Sequence, residues 1–240
     1  MNRAPHSAMV LAAGLGLRMR PLTDERPKPL VSVCGRPLVD HVLDRLVAAG
    51  VRRAVLNLHY KGEMIERHLG GRHDIEIRFS HEDLLLDTGG GVRHALTLLD
   101  DIFFVINSDV IWLDGKAAAL ERLTRAFDPE KLDARLLLQR TTRAVGYEGP
   151  GDFMLDPAGN LRRRPEREIA PYLFAGIQIL HRRLFDEAPE GAFSLNLLWD
   201  RAIAAGRAKA IVHDGEWFHV GTRSGLAATE ARLDTRRIER

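Results

Sequence analysis

An apolar run, Met9-Val10-Leu11-Ala12-Ala13, leads directly into Gly14-Leu15-Gly16-Leu17-Arg18-Met19-Arg20, with Pro27-Lys28-Pro29 a few residues on. Glycines let the backbone turn its N–H groups towards an anion, and fixed cations beside them neutralise charge, so this combination suits a polyphosphate. From Gly14 to Arg36, five basic residues (Arg18, Arg20, Arg26, Lys28, Arg36) stand against two acidic ones (Asp24, Glu25), a local excess that favours a triphosphate. The whole chain is nearly neutral, with 35 basic against 33 acidic residues, which gives no support to binding of nucleic acid or a membrane through bulk charge. Anion binding must therefore be local.

Three further stretches carry groups of the right chemistry. Ser80-His81-Glu82-Asp83-Leu84-Leu85-Leu86-Asp87-Thr88-Gly89-Gly90-Gly91 places three glycines ahead of a helical pattern, where the missing Cβ atoms leave room for a base or ribose against the backbone. The same residues also read as a helix start, with Asp87 or Thr88 as its cap. The Glu82 carboxylate is an acceptor for N–H donors of any ligand that enters there. Ile106-Asn107-Ser108-Asp109 ends an apolar strand on a carboxylate, the ligand type a hard divalent cation takes alongside substrate phosphates; an Asp there also serves simply as a turn cap. In Gly215-Glu216-Trp217-Phe218-His219-Val220-Gly221-Thr222, His219 offers an imidazole, a poorer partner for magnesium than for manganese or zinc.

These segments need a scaffold, and the apolar periodicity describes one. Strands are predicted over residues 8–13, 54–57, 75–80, 103–107 and 134–139, separated by helical patterns over 37–49, 61–69, 90–99 and 116–127. Alternation of this kind implies an α/β fold, Rossmann-like and doubly wound, with a mostly parallel central sheet flanked by helices. After Thr141 the rhythm changes to a Gly/Pro/Asp-rich stretch with a small hairpin around residues 156–160. A long strand over 171–180, a helix over 195–205, short strands over 208–212 and 217–220 and a closing helix over 224–238 follow. In an open α/β sheet the ligand crevice lies beyond the carboxyl ends of the strands, so chemistry is expected after Ala13, Ser80, Asn107 and Leu180. Length and composition suit one domain, with residues 1–7 as a flexible lead-in and residues 8–140 and 141–240 as two halves of different rhythm.

The motifs, in their order and over Met9 to about Ala231, resemble those of the sugar-1-phosphate nucleotidyltransferases, whose fold is of the GT-A-like nucleotidyltransferase type. The carriers are L-A-A-G-L-G-L-R-M-R-P-L-T, P-K-P, L-D-T-G-G-G and the Trp217–Thr222 block. The resemblance implies transfer of a nucleotidyl group from an NTP to a sugar 1-phosphate, giving an NDP-sugar and pyrophosphate. It makes residues 8–140 a nucleotide-binding half and 141–240 a sugar-binding half, and assigns Arg18, Lys28 and Asp109 to catalysis. Leu11, Ala12, Ala13, Gly14, Gly16, Glu82, Thr88, Gly89, Gly90 and Asn107 fall to the nucleotide, and Asp152, Ala175 and Gly176 to the sugar. Asp109 and His219 fall to a cation, Mg²⁺ with Mn²⁺ as the alternative. His219 stands where the family usually has an aspartate, and Ser108 where it usually has glycine. L-D-T-G-G-G is closest to the branch that joins UTP to N-acetylmuramate 1-phosphate; GTP with mannose 1-phosphate is the other candidate within the class. The basic run Arg162-Arg163-Arg164 is either a seat for the sugar phosphate or a solvated face.

Two other classes stay open at this stage. A non-catalytic nucleotide-sugar-binding regulatory protein is suggested by His219. A dinucleotide-binding oxidoreductase is opposed by Met19, which occupies the place of the third glycine in G-x-G-x-x-G. The lone cysteine, Cys34, excludes an internal disulfide, and with no signal-peptide pattern or membrane-length apolar run a cytoplasmic location is expected, with no nucleic-acid or membrane partner.

Overall fold

The computed structural model describes residues 5–238. In chain order the strands are β1 (Ser7–Leu11), β2 (Ser32–Val33), β3 (Arg36–Pro37), β4 (Arg53–Leu58), β5 (Glu76–His81), β6 (Ile102–Asn107), β7 (Val110–Leu113), β8 (Ala134–Arg140), β9 (Ala144–Val145), β10 (Phe153–Leu155), β11 (Leu161–Arg163), β12 (Tyr172–His181), β13 (Ala208–Val212) and β14 (Glu216–His219). The α-helices are α1 (Leu22–Glu25), α2 (Leu38–Ala48), α3 (Gly62–Leu69), α4 (Asp87–His94), α5 (Ala119–Ala126), α6 (Leu195–Ala204) and α7 (Arg223–Ile238).

The central sheet has nine strands, and β5, β4, β1 and β6 run side by side and parallel. Their side chains serve cores on both faces: in β4, Ala54, Leu56 and Leu58 join one apolar cluster while Val55 joins the other, as expected of a strand covered on both sides. Helix α2 lays Leu38, Val39, Val42, Leu43 and Leu46 into the protein, and Gly50, at φ +81°, lets the chain turn away after it. The sheet continues across position 141, because β12 pairs with both β6 and β8.

Several expectations need correction. The strand foreseen over 8–13 starts at Ser7 and stops at Leu11, where Ala12 leaves the ladder and gives its N–H to Asn57 Oδ1 at 2.8 Å. Order therefore begins before the end of the expected lead-in: Ser7 is buried, and the His6 carbonyl accepts from the Arg52 and Arg53 amides. Residues 1–4 of that lead-in lie outside the described residues. Strand β12 runs antiparallel to β6, with Leu180 opposite Phe103, so the segment after Leu180 sits at the amino ends of the parallel strands and takes no part in the crevice. The helical pattern over 90–99 resolves into α4 and a separate 3-10 turn, Leu96–Leu98.

An unforeseen second sheet matters most for the site. Strand β7 follows Asp109 and pairs antiparallel with β14, Val110 opposite His219, and β14 pairs in turn with β9. This pairing brings together residues far apart in the sequence. Among the described residues, no helix is long and apolar enough to cross a membrane.

Candidate active site

The glycine loop is held from below. Gly16 has φ +64°, and a Cβ there would stand 2.9 Å from Thr23 Cγ2, so glycine is needed both for the turn and for the close approach. Thr23 Oγ1 donates to the Gly16 carbonyl at 2.9 Å, and the Met19 amide donates to the same oxygen. Met19 is fully buried in a small core with Val31, Val33, Leu38, Ile111, Phe218 and Val220. Its place in the motif is thereby explained: it anchors the loop where a dinucleotide fold would want a glycine. Anchoring of Met19 leaves the neighbouring Arg18 exposed.

Above the carboxyl ends of β1, β4 and β6 lies a cavity of about 470 Å³, within the range of small-molecule sites. Leu11, Ala12, Ala13, Gly14, Gly16, Arg18, Lys28, Glu82, Thr88, Asn107 and Asp109 all line it. Of the five cations counted in the loop region, Arg20 pairs with Asp24 and Arg36 with Asp44, whereas Arg18 and Lys28 reach the cavity.

Lys28 Nζ lies 2.6 Å from Asp109 Oδ2, and His219 Nε2 lies 3.4 Å from the same oxygen. Burial opposes ionisation of Asp109, but the Lys28 charge, reinforced by His219, outweighs it and holds the carboxyl well below the usual carboxylate range. The histidine ring is fixed in turn: it stacks on Trp217 at 6.0 Å between centroids, and a Cβ on Gly221 would stand 2.3 Å from it. Val220 N–H donates to the Asp109 carbonyl at 2.9 Å, which locks the two segments together.

At the opposite wall Glu82 is only 5% exposed and is held on every side. Its Oε1 accepts from Asn57 Nδ2 at 2.8 Å and its Oε2 from the Leu86 amide at 3.0 Å. The three glycines that follow make room for the protein itself. A Cβ on Gly89 would strike the Phe193 ring at 2.3 Å, one on Gly90 the Gly191 carbonyl at 2.3 Å, and one on Gly91 Glu82 Oε1 at 2.7 Å. Gly89 and Gly90 do not line the cavity, and their amides both donate to the Phe193 carbonyl. The expectation that these glycines open space for a base or ribose is corrected accordingly. Thr88 bridges both sides, lining the cavity while its Oγ1 accepts from the Leu195 amide at 3.0 Å.

The acceptor-side residues are more thoroughly engaged in the fold. Asp152 Oδ2 accepts from the Phe174 amide at 2.8 Å, and the Ala175 carbonyl accepts from Trp217 Nε1 at 2.8 Å. Gly176, at φ +73°, lets β12 come within 3.1 Å of Asn107 Cβ, measured from where its own Cβ would stand. Arg163 pairs with Asp200 and lies over the Phe153 and Trp199 rings, and Arg164 donates to the Gly151, Pro165 and Glu168 carbonyls. Two of the three arginines in the basic run are thus committed to packing.

The sequence profile described as Nucleotidyl transferase matches residues 7–235, nearly the whole chain. The chain belongs to the nucleotidyl transferase family. It is 45% identical over 239 residues to N-acetylmuramate alpha-1-phosphate uridylyltransferase of Caulobacter vibrioides, covering 97% of this chain and 99% of that protein. It is 36% identical to the Neisseria meningitidis protein of the same name, covering 93% and 96%. A mannose-1-phosphate guanyltransferase of Hypocrea jecorina is 44% identical over 109 residues only, 43% of this chain and 30% of that protein. Among solved structures, HddC from Yersinia pseudotuberculosis complexed with GMP-PN superposes with a TM-score of 0.73 at 21% identity, over 95% of this chain and 99% of that one, which establishes the shared fold.

Nucleotidyl transferases typically use a divalent cation. Among the described residues no group of three or more His, Cys, Asp or Glu side chains gathers as a metal cage. Asp109 suits a cation that takes most of its ligands from phosphate oxygens and water. The Nε2 of His219 faces Asp109. Asn57 and Ser108 also line the cavity and were not foreseen. Asn57 carried a signal, a lone amide inside the apolar run Ala54-Val55-Leu56-Asn57-Leu58. Ser108 carried none beyond its place beside Asp109; its Oγ donates to the Leu11 carbonyl at 2.6 Å.

Proposed function

We propose that this nucleotidyl transferase joins UTP to N-acetylmuramate 1-phosphate, releasing pyrophosphate. The observation that carries the chemistry is the Lys28–Asp109 contact in the lining of a cavity that the Arg18-bearing glycine loop also lines. Support for the substrates comes from the two uridylyltransferases matched over almost their full lengths, against the partial match to guanyltransferases.

An oxygen of the sugar 1-phosphate attacks the α-phosphorus of UTP; the new P–O bond forms as the bond to the bridging oxygen breaks, and pyrophosphate departs with those electrons. No protein nucleophile is required, and catalysis consists of positioning and charge stabilisation. The backbone of the Gly14–Gly16 loop and the Arg18 guanidinium hold the β- and γ-phosphates and steady the departing pyrophosphate. Lys28 neutralises charge that builds on the reacting phosphates. Asp152, Ala175 and Gly176 belong to the wall that receives the sugar. Mg²⁺, with Mn²⁺ tolerated, would be held by Asp109 beside His219, and when bound it supplies Lewis-acid neutralisation between the two substrates. The catalysis takes place in the cytoplasm.

The test is a matrix of pyrophosphate release, four NTPs against several sugar 1-phosphates, with Mg²⁺ and with Mn²⁺. UTP with N-acetylmuramate 1-phosphate should give the highest kcat/KM. Faster turnover of GTP with mannose 1-phosphate would transfer the assignment to guanylyl transfer, and nucleotide binding with no turnover for any pair would make the protein a sensor.

A further inference from the structure

Two side chains converge on one oxygen of Asp109, Lys28 Nζ at 2.6 Å and His219 Nε2 at 3.4 Å from Oδ2. The three groups differ in their freedom to move. The aspartate is clamped at its backbone: the Ser108 amide and Oγ both donate to the Leu11 carbonyl, at 3.3 and 2.6 Å, and the Asp109 carbonyl accepts from the Val220 amide at 2.9 Å. The imidazole is held by its stack on Trp217 and by the close approach of Gly221. Lys28 is fixed only at its root. It opens a 3-10 turn between Pro27 and Pro29, its carbonyl accepts from the Val31 amide at 3.0 Å, and its Cβ lies 3.3 Å from the Cβ position of Gly16. Beyond that root the ammonium rides on a flexible four-carbon stem, and among the described residues Asp109 is its one ion-pair partner.

Asp109 is also the carboxylate that suits a divalent cation, so two kinds of positive charge have a claim on it. Oδ1 belongs to the same carboxyl group, and a cation on that side meets the same ammonium charge. Repulsion between the two is strong where the cavity wall keeps water partly away. We infer that Lys28 competes with the divalent cation for Asp109: it neutralises the carboxylate, and swings off it on its own stem when the cation arrives together with phosphate oxygens. Those oxygens give Nζ a new partner, whereas a cation alone brings none. Lys28 thereby keeps free Mg²⁺ or Mn²⁺ off Asp109 and makes cation and nucleotide bind as a coupled pair. The inference rests on the proposed nucleotidyl transfer and deepens it, by stating how the cation is admitted to that site.

The experiment titrates Mn²⁺ alone, with neither nucleotide nor sugar, into the wild type, Lys28→Ala, Lys28→Gln and a chain carrying both Lys28→Ala and Asp109→Asn. Free Mn²⁺ is read by electron paramagnetic resonance at pH 8. Removing the ammonium should tighten Mn²⁺ binding about tenfold or more, the size by which one adjacent charge moves a carboxylate's affinity for a proton. The doubly substituted chain should lose that gain, which locates the site at Asp109. Lys28→Gln keeps a hydrogen-bond donor without the charge; it should gain as well, and it carries the test should Lys28→Ala lose its fold by circular dichroism. A lysine that only braces the fold would lower the unfolding midpoint on removal without tightening Mn²⁺. Affinity that is unmoved or weaker in the folded variants, or a gain that survives Asp109→Asn, overturns the inference. Tightened Mn²⁺ binding beside a wild type that releases no pyrophosphate from any substrate pair would overturn the proposed function alone.

Discussion

Asp109 and Asp133 each sit against two basic side chains, in contrasting surroundings. Asp109 meets Lys28 and His219; Asp133 meets Arg183 and Arg207. In both, burial opposes ionisation and the neighbouring cations overcome it, so both carboxyls lie below the ordinary range. They stand at opposite ends of the sheet. Asp109 follows the carboxyl end of β6, whereas Asp133 gives its carbonyl to the His181 amide, and His181 is in register with Ile102 at the start of that strand. Arg183 spreads its other donors over the Pro129 and Leu132 carbonyls, so the Asp133 cluster is closed by backbone. Lys28 and Asp109 instead open on the cavity. The same electrostatic unit stiffens a fold when its donors end on the main chain, and is available to substrate when they end at a void.

The sharpest way to break this contrast is Lys28→Ala. Turnover should fall by about 10²–10³-fold, the range for removing one preorganised charge donor, and the unfolding midpoint should fall as well, because Asp109 loses the charge that offsets its burial. Near-normal kcat would reduce the Lys28–Asp109 pair to a structural one like that of Asp133. Arg18→Ala comes next, with an expected loss of about 10- to 100-fold in kcat/KM for UTP. Arg18 is exposed and forms no ion pair among the described residues, so its loss should leave stability unchanged in a urea titration.

Asp133→Asn tests the other cluster. It should cost about 1–2 kcal/mol of stability while turnover stays within about twofold of wild type. The pH dependence has a definite sign: because the folded carboxyl titrates below the roughly 3.9 of a free aspartate, its stabilisation is present above about pH 4 and is lost as pH falls through the lower folded value. Unfolding titrations of the two proteins at pH 7, 5 and 3 should therefore converge at the acid end. A gap that persists unchanged at pH 3 would mean that the carboxylate charge is not what Arg183 and Arg207 exploit.

What was legible in the sequence follows the same division. The Gly14–Lys28 loop could be read as part of the cavity lining because its residues are neighbours after a strand, and their spacing survives in one dimension. The elements of the parallel sheet were legible from apolar period, to within a residue or two at most ends. Long-range pairing was not legible. Strand β7 was missed, so only the resemblance, and no strand pairing read from the sequence, brought His219 and Asp109 together before the Val110–His219 register did so. The space beside Gly89 was assigned to a ligand because Phe193, which fills it, comes from a distant segment. Arg163 resembled a solvated or phosphate-binding cation until its contacts with Phe153 and Trp199 were visible. Asn57 announced itself as an oddity in an apolar strand, but its partners Ala12 and Glu82 belong to two other loops.

The smallest expected effect belongs to His219→Asp, and it sharpens the comparison at its most informative point. The ring is held between Trp217 and Gly221 with Nε2 at 3.4 Å from the oxygen that Lys28 already holds at 2.6 Å. A second carboxylate there adds a hard oxygen donor beside Asp109 and removes a nitrogen donor, so Mg²⁺ should gain on Mn²⁺ by a factor of about 2–10 in the rate supported at equal concentration. Turnover and the Mg²⁺:Mn²⁺ ratio report different things. A ratio that rises places His219 next to the cation. An unchanged ratio with lower turnover for both metals assigns the ring to orienting Asp109, which would make it the counterpart of the arginines around Asp133, a positioning group inside an otherwise reactive cluster.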